Sequence, residues 1–280
     1  MSGPWPAGAA FADSAARRAA LSGKVAVVTG ASRGLGAGLA AHFASAGLHL
    51  GLCARHRPDL VAKTRPRAHD GRVDPAEPPV VASVDVTDFA ALESFAGEVV
   101  GRFGRIDLWV NNAGVLEPVG PLAEADPGEV ARHLAVNVTG TAYGTMVFAR
   151  HVATRPGGGV LVNLSSGAGT RPYAGWAPYC AGKAAVEMVS AVAALEERRH
   201  GLRAYALAPG LVDTEMQAAV RATDERRFPE VGRFVRAKEE GAFNSPAWVA
   251  ERILELAFGD DPGDSVHVRV PAEPPAGRAR

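Results

Sequence analysis

The chain has 280 residues, of which 47% are hydrophobic, and its 30 Lys and Arg balance 30 Asp and Glu. This length predicts one large folded domain, and the zero formal charge argues against a nucleic-acid partner. Two cysteines, Cys53 and Cys180, are too few for a disulfide framework, and no apolar run approaches the roughly 20 residues of a membrane helix. We therefore expect a cytoplasmic protein without a nucleic-acid or membrane partner.

The first segment, residues 1–23, is rich in Ala, Gly and Pro, and we predict a flexible extension with at most one short helix. Residues 24–29 then carry a β-branched run that is typical of a buried parallel strand. A glycine-rich turn at 30–36 and a helix to about Ala46 follow. Backbone N–H groups at such a helix start bind pyrophosphate, and glycine lets the backbone approach closely. The spacing G-x-x-x-G-x-G differs from the standard dinucleotide fingerprint, so an ordinary tight turn is the alternative.

The end of the second predicted strand, residues 48–53, decides the type of cofactor. NAD sites place an Asp or Glu there to bind the ribose 2′-hydroxyl, but residues 54–57 read ARHR, without an acid. Arg55, helped by Arg33 from the glycine-rich turn, suits the 2′-phosphate of NADP(H) through charge-assisted hydrogen bonds. The alternative is that both arginines are solvated surface charges.

Strands and helices alternate over the rest of the chain. The Pro- and Arg-rich residues 57–79 predict a loop, with at most one short helix near 59–62. Asp85, after the third strand, suits either an adenine amino group or a cap. Further elements are predicted at 80–84, 106–110, 126–150, 160–164, 179–198 and 202–207, with a last strand within 262–270. This rhythm predicts a single α/β domain over 24–270, with a Rossmann-type doubly wound parallel sheet, and a flexible tail at 271–280.

Tyr179 and Lys183 stand four residues apart at the start of a predicted helix, so their side chains share one face, about 5–6 Å apart at Cβ. A phenol with a pKa near 10 is a poor acid–base group at neutral pH, and a nearby ammonium lowers that pKa. The pair can then give a proton to a carbonyl oxygen or take one from an alcohol. Chance is the alternative, although the chain has just four Tyr.

Five motifs occur together and in order: TGASRGLG at 29–36, NNAG at 111–114, Ser166, YxxxK at 179–183 and PG at 209–210. This combination resembles the short-chain dehydrogenase/reductase family over about residues 24–258. Residues 175–185 and 208–217 are similar to the sepiapterin and benzil reductases of that family. Sepiapterin reductases hold the pterin with an acid near the C-terminus. This chain has Arg269 there, which favours an aromatic diketone or a similar carbonyl over a pterin.

The resemblance implies a role for each matching residue. Tyr179 is the general acid, Lys183 lowers its pKa and binds the nicotinamide ribose, and Ser166 rather than Ser165 holds the substrate carbonyl. Asn137 holds a water that links Lys183 to solvent, unless it is an ordinary buried helix Asn. No metal is expected. The residues expected to bind NADP(H) are Gly30, Ser32, Arg33, Gly34, Leu35, Gly36, Arg55, Asp85, Val86, Asn112, Ala113, Gly114, Tyr179, Lys183, Pro209, Gly210, Val212 and Thr214.

The long segment at about 213–245 is mixed in charge, and we predict that it forms a lid over the substrate. Apolar residues in and before this segment predict an aromatic substrate pocket beside Ser166 and Tyr179, although each also suits the core. They are Tyr173, Trp176, Met216, Phe228 and Phe234.

Together these features predict an NADPH-dependent carbonyl reductase that acts on a small, aromatic ketone or diketone. The alternatives are a sepiapterin-type reductase, the same chemistry run as alcohol oxidation in a biosynthetic pathway, and an NADP(H)-binding sensor without turnover. The family pairs two long helices of each subunit, here 126–150 and 179–198, so the resemblance also implies a homodimer or homotetramer.

Overall fold

The computed structural model describes residues 5–6, 11, 13–58, 77–260 and 263–275. The strands in these residues are β1 Val25–Thr29, β2 His49–Ala54, β3 Val80–Ser83, β4 Leu108–Asn111, β5 Gly159–Leu164, β6 Leu202–Ala208 and β7 His267–Arg269. They form one parallel sheet in the order β3-β2-β1-β4-β5-β6-β7. This order is that of the doubly wound Rossmann fold, and it confirms the predicted fold class.

The helices are α1 Ser14–Leu21, α2 Gly34–Ser45, α3 Phe89–Phe103, α4 Pro127–Leu134, α5 Gly140–Ala153, α6 Ala177–Glu196, α7 Glu215–Arg221, α8 Val231–Glu239 and α9 Pro246–Phe258. Both faces of the sheet are covered, which explains why β1 is buried along its whole length. On one face Phe43 of α2 packs with Ile253 of α9. On the other face Phe95 of α3 and Phe148 of α5 pack around Trp109.

The helix predicted at 126–150 is interrupted. Asp126 caps α4 by accepting a hydrogen bond from the Glu129 amide, and a π turn at Ala135–Thr139 then joins α4 to α5. Such turns place one extra residue in a helical turn and often occur at functional sites. Asn137 lies within this turn and is buried.

The N-terminal segment is partly folded. Asp13 caps α1, Leu21 is buried, and Arg17 donates to both carboxylate oxygens of Glu251 on α9, at 2.8 and 2.9 Å. For residues 14–21 this corrects the predicted flexible extension, because these contacts fix the helix to the domain.

The predicted lid contains α7 and α8, and its role as a lid stays a prediction. The helix considered near 59–62, most of the 57–79 loop and the last five residues of the predicted tail lie outside the described residues. No helix in the described part of the chain is both long and apolar enough to span a membrane.

Candidate active site

A cleft of about 790 Å³ opens at the carboxyl edge of the sheet. The glycine-rich turn and the ends of β2, β4, β5 and β6 form one part of its wall, and α6 and the lid helices form another. Doubly wound sheets bind ligands at this edge. Every residue predicted for the site lines the cleft except Asn137 and Phe228, which are buried.

Tyr179 lies in the first turn of α6, where its hydroxyl is hydrogen-bonded to the Ser166 side chain. The neighbouring Ser165 is turned away, because its hydroxyl donates to Glu187 Oε1 at 2.8 Å in the core. The Ser165 hydroxyl is therefore occupied, and the carbonyl-binding role of Ser166 stays a prediction. Burial raises the pKa of the Tyr179 phenol above its usual value, and the Ser166 hydrogen bond opposes that rise.

Lys183 lies one turn along α6, and its Nζ is 5.7 Å from the centre of the Tyr179 ring. The ammonium donates to the Leu164 carbonyl at 2.7 Å, and burial lowers the pKa of Lys183 to about 8. The predicted lowering of the Tyr179 pKa by Lys183 is therefore corrected for this structure. Removal of the phenol from water outweighs the other effects, and the resulting pKa is raised.

The side chain of Asn137 makes three hydrogen bonds inside the protein. Its Oδ1 accepts from the Val115 amide at 2.9 Å, and its Nδ2 donates to the Val115 carbonyl at 2.8 Å and to His133 Nε2 at 2.7 Å. The π turn is thereby joined to the loop after β4. These contacts match the alternative of a buried structural Asn, and the predicted water between Asn137 and Lys183 stays a prediction.

His133 was missed by the sequence analysis. Its Nδ1 lies 2.7 Å from the Glu117 carbonyl, which can only accept, so Nδ1 carries the proton and Nε2 accepts from Asn137. Burial lowers the pKa of His133, which favours this neutral form. The available signal was its position four residues before Asn137, on the same helix face.

The glycine-rich turn fits a pyrophosphate. Arg33 precedes α2 without capping it, and the first turn of the helix contains no acid. The backbone N–H groups that begin α2 are therefore left for an anion, and residues 34–36 line the cleft. Gly30 is required for a different reason, since a Cβ there would lie 2.7 Å from Ala113 Cα. Asn112 holds these two loops together through Nδ2, which donates to the Thr29 and Gly30 carbonyls at 2.9 and 3.2 Å.

The two candidate arginines differ in their surroundings. Arg55 is exposed at the end of β2, lines the cleft, and makes no ion pair with any described residue. Arg33 Nη1 instead lies 2.8 Å from Glu215 Oε2, at the start of α7. Asp85 accepts from the Thr87 amide and hydroxyl, so its carboxylate closes a turn while still lining the cleft.

The segment after β6 is held by side-chain contacts at the cleft. Val212 pairs with Asn244 in an isolated bridge, and Asn244 Nδ2 donates to the Pro209 carbonyl at 2.9 Å. Thr214 Oγ1 accepts from the Gln217 amide and so caps α7. These contacts give Thr214 a structural role beside its predicted one at the carboxamide.

Aromatic side chains form the substrate end of the cleft. Tyr173, Trp176, Met216 and Phe234 line it, and Trp176 stacks on Phe228 with ring centres 4.3 Å apart. Phe228 itself is fully buried behind Trp176, which corrects its predicted place in the pocket wall.

Comparison with known proteins agrees with this geometry. The family model described as short chain dehydrogenase matches residues 24–225. The chain belongs to the short-chain dehydrogenase family. Two similar curated proteins are the benzil reductases ((S)-benzoin forming) of Bacillus subtilis strain 168 and Bacillus cereus. They are 29% and 30% identical over 232 and 236 residues, which cover 82% of this chain and 91% and 92% of theirs. The crystal structure of the enzyme KRED1-Pglu has a TM-score of 0.73 and 31% identity, and it covers 88% of this chain and 100% of its own.

Membership in this family makes the protein an oxidoreductase that interconverts CH–OH and C=O groups with a nicotinamide cofactor. The predicted resemblance is thus confirmed at the level of the family. The glycine-rich turn, the uncapped start of α2 and the cleft above them fit such a cofactor.

Proposed function

We propose that this protein is an NADPH-dependent carbonyl reductase that acts on a small, aromatic ketone or diketone. The observation that supports it most is the position of the hydrogen-bonded Ser166 and Tyr179 in a cleft that has aromatic walls. Lys183 lies one helical turn away. Together they provide a proton donor, a carbonyl-binding hydroxyl and an adjacent positive charge.

In the proposed reaction the substrate carbonyl oxygen is held by the Ser166 hydroxyl and receives its proton from the Tyr179 phenol. The raised pKa of Tyr179 keeps the phenol protonated at neutral pH, which is the form that reduction needs. Oxidation of an alcohol by the same residues would need the phenolate instead. A nicotinamide cofactor, when bound, supplies the hydride.

The preference for NADPH rests on Arg55. Its exposed guanidinium lies at the end of β2, where the ribose of a dinucleotide lies in doubly wound folds. A guanidinium there can bind a 2′-phosphate through paired hydrogen bonds. Arg33 is less available, because it is paired with Glu215.

An aromatic substrate is supported by the Trp176 and Tyr173 wall and by the two benzil reductase relatives. A pterin is less well supported, because Arg269 lines the cleft where an acid would be needed.

The experiment that tests this proposal follows NADPH oxidation at its absorbance band with benzil and sepiapterin side by side, and with NADH as the control. We expect turnover of benzil with NADPH. Turnover of sepiapterin alone would mean that another residue holds the pterin, and a preference for NADH would refute the role of Arg55.

Tyr179→Phe removes the proton donor and keeps the ring, so we expect less than a tenth of the wild-type turnover with benzil. The same assay on Cys180→Ala, which changes the next residue in the helix, should give nearly wild-type turnover. A Tyr179→Phe enzyme that keeps more than a tenth of the activity would show that the acid role is wrong.

A further inference from the structure

Arg269 is a cation at the substrate end of the cleft. It lies on β7, opposite Ala208 at the end of β6, and its side chain is exposed and lines the cleft. Its Nη2 is 3.1 Å from the place that a Cβ on Gly167 would occupy. The guanidinium therefore lies beside the residue that follows Ser166. Among the described residues nothing forms a hydrogen bond or ion pair with this side chain.

The other arginines at this end of the cleft are paired. Arg233 lies 3.8 Å from Glu230, and Arg132 lies 3.6 Å from Glu129. Within the described part of the chain, Arg269 is thus the arginine at the substrate end that has no carboxylate of its own.

Glu187, a buried acid on α6, already has partners of its own. His267 precedes Arg269 by two residues and so faces the same side of β7. Its Nδ1 lies 2.7 Å from Glu187 Oε2, and Glu187 Oε1 accepts the hydroxyl hydrogen of Ser165 at 2.8 Å. This carboxylate is therefore occupied by His267 and Ser165 and does not pair with Arg269.

We propose that Arg269 binds a carboxylate of the substrate, close to the reacting carbonyl, and that the preferred substrates are aromatic keto acids. A guanidinium binds a carboxylate through two parallel hydrogen bonds, which fixes its orientation as well as its charge. In this proposal Ser166 and Tyr179 bind the carbonyl oxygen. Arg269 binds the carboxylate beside Gly167, and the ring packs against the aromatic wall at Trp176. This inference rests on the proposed function and adds a substrate class to it.

The test compares phenylglyoxylate with its methyl ester, because the two share the ring and the ketone and differ in charge. We expect wild-type kcat/KM with NADPH to be at least about tenfold higher for the acid. Arg269→Gln should lose about 10- to 100-fold on the acid and much less on the ester. Arg269→Lys keeps the charge but cannot form two parallel hydrogen bonds. Its kcat/KM on the acid should lie between those of the wild type and Arg269→Gln. Arg236→Gln removes an exposed charge from α8 outside the cleft, and it should behave as wild type.

The outcomes separate this inference from the proposed function. Two results would refute the carboxylate site without affecting the proposed reductase function. One is an equal loss of kcat/KM on the acid and the ester in Arg269→Gln, and the other is a wild-type preference for the ester. If no carbonyl compound is reduced with either cofactor, the proposed function fails. Calorimetric titration of phenylglyoxylate into the wild-type protein and Arg269→Gln then decides the inference. Binding that is lost in the variant supports it, and equal or absent binding refutes it.

Discussion

At the scale of single residues, burial shapes the acid–base chemistry of the cleft more than sequence spacing does. The same removal from water raises the pKa of Tyr179 and lowers that of Lys183, because in each case the charged form is disfavoured. Both side chains are therefore closer to their neutral forms than free side chains would be. A protonated phenol beside Ser166 is the state from which a carbonyl is reduced.

Lys183→Met should stabilise the folded protein, most strongly below pH 8. In the unfolded chain Lys183 keeps its proton up to about pH 10.5, whereas in the folded protein it loses the proton near pH 8. Below pH 8 the folded protein therefore buries a charge, which opposes folding. This cost decreases as the pH rises towards 10.5. Below pH 8 the removal of the buried charge should raise the free energy of unfolding by about 3 kcal/mol. The loss of the hydrogen bond to Leu164 should reduce this gain by about 1 kcal/mol. Urea unfolding of both proteins at pH 7 and pH 10 measures it.

The matched control for this pair of titrations is Lys238→Met, because Lys238 is on the surface, with half of its side chain exposed. Its effect on the free energy of unfolding should change much less between pH 7 and pH 10 than that of Lys183→Met. A Lys183→Met effect that is equal at both pH values would contradict the burial argument.

Arg55→Gln should raise KM for NADPH by about tenfold or more and leave KM for NADH nearly unchanged, because one charge-assisted contact to the 2′-phosphate is lost. Initial rates with both cofactors check this. Arg33→Gln is the internal comparison, and its effect should be smaller because Arg33 is paired with Glu215 at 2.8 Å. An equal rise in KM for NADPH and NADH in Arg55→Gln would show that Arg55 does not bind the 2′-phosphate.

At the scale of elements, two side-chain contacts fix segments that a sequence pattern leaves open. His133 and Asn137 join the π turn to the loop after β4 through Val115 and Glu117. On the far side of the sheet, Glu251 on α9 receives hydrogen bonds from Arg17 of α1 and lies 2.8 Å from His42 Nε2 of α2. Each contact joins elements that are distant in sequence.

Glu251→Gln should destabilise the protein at neutral pH by about 1–3 kcal/mol. Burial alone would raise the pKa of Glu251, but the bonds from His42 and Arg17 lower it to about 2, below the ordinary 4.5. The stabilisation is therefore complete above pH 4.5 and is lost as pH falls towards 2. Urea unfolding of both proteins from pH 7 down to pH 3.5 should show the difference shrinking. Glu240→Gln, on the surface, serves as the control, and a difference that does not change with pH would contradict the prediction.

At the scale of the whole molecule, the apolar face outside the cleft lies on α5 and α6. Met188 and Leu195 of α6 are 65% and 78% exposed, and Met146 of α5 is also exposed. Exposed apolar side chains on neighbouring helices favour an interaction face. Together with membership in a family whose enzymes are typically oligomeric, it supports our proposal of a homodimer or homotetramer.

Leu195→Glu should shift the protein towards the monomer at micromolar concentration, because it places a charge within the proposed interface. Size-exclusion chromatography with light scattering measures the mass directly. Leu122→Glu changes an equally apolar residue that is 61% exposed but lies in the loop before α4, and it should leave the mass unchanged. A wild-type protein that is already monomeric would refute the proposed assembly.

The doubly wound sheet, the position of the cleft and most of its lining could be predicted from the amino-acid sequence. These follow from local patterns, such as the buried run of β1 and the glycines of the next turn, and from the rule that parallel strands bring their carboxyl ends to one edge. The structure alone decided which side chains meet across that edge. It paired Arg33 with Glu215, turned Ser165 towards Glu187, placed Phe228 behind Trp176 and left Arg269 unpaired among the described residues. Burial and long-range contacts set these outcomes, and both depend on residues far apart in the chain.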